Sequence, residues 1–137
     1  MNGHLPVLEI LRADGPVGLL IGGSGVNTAR VFPGDAPQKA LWPLVTVEVF
    51  DGEPFDSKDG ASTLEHDMVK VSTYATTDAA AYDLAAKCRT ALEGKSGTYN
   101  GYYIEGIRFL RPDSFHLKLT NRIARVYEYD YEVRIRI

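Results

Sequence analysis

Three histidines, one cysteine and a run of carboxylates carry whatever side-chain chemistry this sequence could perform. His4, His66 and His116 stand far apart, and none has a second histidine one helical turn away, the spacing by which a helix offers two ligands to zinc. His66 lies between Glu65 and Asp67, neighbours that could raise its basicity for general-base work in a small hydrolase or isomerase. The same neighbours equally suit a solvated histidine at a strand edge. Cys88 falls among small apolar residues and reads as a core thiol, and no spacing brings a histidine to it as a nucleophile pair. Gly22-Gly23-Ser24-Gly25 could cradle an anion, but no Lys-Ser/Thr pair follows and Thr28 stands where a dinucleotide fingerprint needs its third glycine. That cluster reads as a tight turn. Asp51, Glu53, Asp56 and Asp59 gather negative charge without the closing glutamate of a calcium loop, which leaves a solvated or partner-gripping loop. No catalytic, cofactor-binding or metal-binding residue is assigned, and no enzymatic activity or cofactor is expected.

The elements that would position these residues follow from periodicity. Leu5, Val7, Leu8, Ile10 and Leu11 predict a short amphipathic N-terminal helix, stopped by Asp14-Gly15-Pro16. Gly15 to Gly25 is too glycine-rich for a helix interior and is expected to be a packed turn region. Ala29 to Phe32 predicts a short strand. Leu44 to Phe50 predicts a longer one, rich in β-branched residues and ended by Asp51-Gly52-Glu53-Pro54. Asp51 to Ser62 has little to bury beyond Phe55 and is expected to be a mobile loop, and Leu64 to Tyr74 returns to strand. Thr77 caps a helix whose stripe is Ala81, Leu84, Ala85, Cys88, Ala91 and Leu92, with Gly94 as its stop.

Asn100-Gly101 predicts a hairpin turn into a strand over Tyr102 to Leu110, broken by Arg111-Pro112-Asp113, with His116 in a polar loop. From Val126 the chain alternates, with Tyr127, Tyr129, Tyr131, Val133, Ile135 and Ile137 on one face, expected to be buried, and Glu128, Asp130, Glu132, Arg134 and Arg136 on a wet one. The sum is a single α+β domain over residues 1–137, a mostly antiparallel sheet packed with one main helix and a short N-terminal one.

Composition bounds the partners. The 137 residues are 45% hydrophobic and 24% charged, the balance of a globular domain, and one cysteine excludes an internal disulfide. Fifteen Lys+Arg against eighteen Asp+Glu give a formal charge of -3, which argues against a protein that grips nucleic acid over its whole surface. The longest strongly apolar stretch, Val17 to Ile21, is far too short to span a membrane, and a cytosolic product without its own address is expected.

The run Arg30-Val31-Phe32-Pro33-Gly34-Asp35-Ala36-Pro37-Gln38, followed by Pro43-Leu44-Val45-Thr46-Val47, resembles the opening of the tail-completion and tail-terminator proteins of long-tailed phages. The order of the following elements matches that family from about Leu8 onward. The resemblance implies a non-enzymatic virion subunit that assembles as a homo-oligomeric ring, generally six-fold, on the head-proximal end of the tail tube. Such a ring ends tube polymerisation, meets the tail tube protein and a neck or head-completion protein, and lets DNA pass without specific binding. A head-closure or neck connector subunit is the related alternative. The expected location is the virion tail at the head-tail junction, and the host cytoplasm during assembly. On this reading Asp51, Glu53, Phe55, Asp56, Lys58 and Asp59 form an interface loop that orders on a neighbour. Tyr127, Tyr129 and Tyr131 stripe the core or a subunit interface, and Glu128, Asp130 and Glu132 face the channel, where their charge would repel phosphates.

Overall fold

The computed structural model describes residues 2–23, 29–37, 40–54, 64–118 and 123–136. The helices are α1 (His4–Ala13), α2 (Gly15–Leu20) and α3 (Asp78–Leu92). The strands are β1 (Val31–Pro33), β2 (Leu44–Pro54), β3 (Leu64–Ala75), β4 (Gly97–Tyr99), β5 (Tyr102–Lys118) and β6 (Ile123–Arg136). Among the described residues six strands join one sheet in the order β1-β2-β3-β6-β5-β4, and only the β1–β2 pair is parallel. The α+β class and the mostly antiparallel sheet are therefore as expected.

The alternation that ends the chain places β6 between β3 and β5, with Val71 opposite Tyr129 and Tyr131 opposite Phe109. Tyr129, Tyr131, Val133 and Ile135 then join Val45, Val47, Val69 and Val71 on one face of the sheet. The apolar stripes of α1 (Val7, Leu8, Leu11) and α3 (Leu84, Ala85, Cys88, Leu92) complete that core. Leu84 and Leu92 are fully buried, each stabilising by about 1.5–3 kcal/mol relative to an exposed side chain. The Thr77 hydroxyl accepts from the Ala80 N–H at 3.2 Å and starts α3 where the sequence places it. Cys88 is buried, and desolvation pushes its thiol well above the usual range, which suits a core residue.

Four boundaries differ from expectation. Gly15–Leu20 is helical, because the Asp14 carboxylate accepts from the Val17 N–H at 3.0 Å and Pro16 sits in the first turn, so the stop signal of α1 is the start signal of α2. Next, β2 does not end at Phe50: it continues to Pro54 against Glu65–Met68 of β3, absorbing one residue in an irregularity between Val49 and Asp51. Asp51 to Pro54 is thus strand and not loop. Similarly β5 runs unbroken through Arg111-Pro112-Asp113, shifting register between Phe109 and Arg111, and carries His116 in the strand. Finally, a three-residue β4 precedes Asn100-Gly101, whose φ values of 51° and 80° make the tight hairpin turn that the sequence predicts.

Candidate functional site

Among the described residues, the sheet face turned away from the helices carries a connected set of charged side chains. Register alone brings them together. Glu132 of β6 lies opposite Arg108 of β5, Asp130 opposite Arg111, and both face β3 on their other side. Glu132 is the hub. Its carboxylate lies 3.2 Å from His66 Nδ1, 3.1 Å from Arg134 Nε and 3.6 Å from the Arg108 guanidinium. Burial alone would raise its pKa, but the His66 and Arg134 hydrogen bonds and the Arg108 charge outweigh burial and hold it below the usual range. Arg111 Nε donates to Asp130 at 2.8 Å, Lys70 Nζ lies 3.8 Å from Glu128, and Arg136 pairs with Glu105.

This arrangement overturns one expectation. The alternating acids of β6 are not a wet row: the Asp130 and Glu132 side chains are only 9% and 8% exposed, while the Arg108 and Arg111 side chains above them are 65% and 68% exposed. The carboxylates form a floor and the guanidiniums a fringe. Such pairs set geometry more than they add stability, since the cations remain screened by water.

The three tyrosines of β6 divide. Tyr131 is fully buried and Tyr129 nearly so, and both rings meet Phe109 edge-on with centroids 5.6 and 5.1 Å away. Tyr127 is half-buried at the rim, where its hydroxyl donates to Asp78 Oδ1 at 2.9 Å and its ring meets the exposed Tyr82 edge-on at 5.6 Å. Of the stripe, Tyr127 alone has a surface to offer a neighbour.

His4, His66 and His116 fall in α1, β3 and β5. His66 meets Glu132 on the open sheet face, whereas Asp67 points into the core, so its two sequence neighbours do not converge on it. Arg125 donates to the His116 ring. Among the described residues no cluster of three or more His, Cys, Asp or Glu could hold a metal. Asp51 and Glu53 lie in β2, opposite Met68 and His66 of β3. Phe55, Asp56, Lys58 and Asp59 lie outside the described residues. Sequence reasoning missed the arginine fringe: Arg108 and Arg111 are far from Glu132 and Asp130 in the chain, and only the pairing of β5 with β6 brings them together.

No helix among the described residues is long and apolar enough to cross a membrane. No curated protein matches the chain. A chain in a solved structure described as "Virion of native gene transfer agent (GTA) particle" is similar in fold, with a TM-score of 0.71 and 23% identity, covering 96% of this chain and 92% of that one. A family model described as Tail completion protein gp17 matches residues 6–137.

Proposed function

Because the chain belongs to the Tail completion protein gp17 family, a family of structural phage tail proteins, we propose that its copies close into a ring on the head-proximal end of the tail tube. The ring ends tube growth and presents the surface on which the neck docks. The observation that carries this reading is the family match across 6–137, joined to a surface whose charged groups hold one another in place.

A six-fold ring needs two different complementary patches on each subunit, since contacts made head to tail close only when they are not self-paired. The acidic stretch of Asp51, Glu53, Phe55, Asp56, Lys58 and Asp59 supplies one contact to a neighbour or to the tube, and the rim around Tyr127 and Tyr82 supplies apolar area for another. The face bearing Glu128, Asp130 and Glu132 lines the channel. There the three carboxylates offset most of the charge of the four cations Lys70, Arg108, Arg111 and Arg134, so passing phosphates meet a nearly balanced surface instead of a strongly basic one.

Negative-stain imaging of tail tubes incubated with the purified protein tests the proposal. A six-fold ring on one end of each tube is expected, and protein decorating the tube sides or both ends equally would overturn it.

A further inference from the structure

We infer that, in the ring just proposed and resting on that reading, the sheet of one copy continues into the next, the open edge of β5 pairing antiparallel with the open edge of β2. Each edge of the sheet is closed over one part and open over the other. On one side β4 covers β5 only at Tyr102–Ile104, and the Gly94 N–H donates to the Ile107 carbonyl at 3.0 Å. From Arg108 to Lys118 no described strand lies beside β5 on the side away from β6. On the other side β1 covers β2 only at Val45–Val47, and from Glu48 to Pro54 no described strand lies beside it on the side away from β3.

The short strand β1 is itself a poor template. Arg12 donates through Nε and Nη2 to the Val31 carbonyl at 3.2 and 2.9 Å, and Pro33 has no N–H to give. Strand addition on that side is therefore directed past β1 to the upper half of β2. A long edge of unpaired backbone groups is a ready site for another strand, which is how β-augmentation gains affinity.

Polarity and charge choose the occupant as a second copy. The chain of antiparallel pairs from β2 through β3 and β6 to β5 makes β2 and β5 run in opposite directions. A neighbour rotated about an axis roughly along the strands thus brings its β2 beside β5. Through those registers Glu48–Pro54 lies level with Arg111–Ile104, so the two open stretches meet directly at Glu48–Asp51 and Arg108–Arg111, and fuller pairing places the neighbour several residues along the strands, as strands tilted to the ring axis allow. The two edges differ, so the contact propagates head to tail. Glu48, Asp51 and Glu53 are the charges of β2 beyond β1, with no cation among them. Beyond Ile107, β5 carries Arg108, Arg111 and Lys118 against Asp113. The guanidiniums of Arg108 and Arg111 each touch a carboxylate of β6 but remain about two-thirds exposed, and five donors apiece leave room for a neighbour's acid.

Hydrogen exchange of the full-length protein, read by mass spectrometry before and after ring formation, tests this, with ring formation followed by light scattering and imaging, alone and on tail tubes. Amides of Arg108–Lys118, Pro112 apart, and of Glu48–Glu53 that face the edges are expected to slow by at least ~10-fold in the ring, as newly bonded strand amides do. Rings in which protection appears elsewhere overturn the edge pairing and leave the ring standing. Absence of rings on tubes overturns both.

Discussion

The Gly3 amide donates to the buried Asp67 carboxylate at 2.7 Å, fastening the start of α1 to the inner face of β3 across 64 residues of chain. The approach is close enough that a Cβ on Gly3 would fall 2.8 Å from Asp67 Cβ and 3.2 Å from Val69 Cγ2. Gly3→Ala therefore pushes α1 off the sheet and is expected to cost about 1–3 kcal/mol, the usual penalty of overpacking. Thermal or urea unfolding checks it.

Asp67 also gives the fold a pH dependence. Burial raises its carboxyl pKa against the pull of the Gly3 hydrogen bond, so the folded group releases its proton later than the unfolded one. Its contribution is full below the ordinary aspartate range and is lost as pH rises through the folded value. Asp67→Asn should flatten the fall in stability over that window, as read by unfolding at a series of pH values.

Glu132 acts in the opposite sense. Its pKa is depressed, so the stability it adds is full above the ordinary glutamate range and disappears as pH falls through the folded value. Glu132→Ala leaves His66, Arg108 and Arg134 without this partner, and an expected loss of about 1–2 kcal/mol near neutral pH reflects hydrogen bonds to a charged group discounted for exposed cations. The variant should show a shallower acid limb in the same pH series.

Tyr131 is buried in the core, and its hydroxyl has no hydrogen-bond partner among the described residues. Tyr131→Phe removes the unsatisfied group and keeps the ring against Phe109, so stability should stay level or rise by up to about 1 kcal/mol. Tyr131→Ala should instead cost about 3–5 kcal/mol through the cavity left behind. Chemical denaturation of the two variants separates the roles.

Local signals made α3, β6 and the Asn100-Gly101 hairpin legible, because capping, strict alternation and turn chemistry are written within a few residues. Signals that served two purposes misled. Asp14-Gly15-Pro16 both ends α1 and begins α2, and Arg111-Pro112-Asp113 resembles a break although an edge strand needs ladder donors on only one side. The charged face was half legible: the acids of β6 stand in the sequence at every second position, but their burial depends on arginines and a histidine 2 to 66 residues away. No local pattern announces that pairing.

The most direct measurement is the length of tail tubes, and their attachment to heads, in particles assembled with and without this protein. The account predicts overlong tubes without heads in its absence, restored to uniform length and joined to heads when it is supplied. Tubes of normal length that join heads without it would contradict the account.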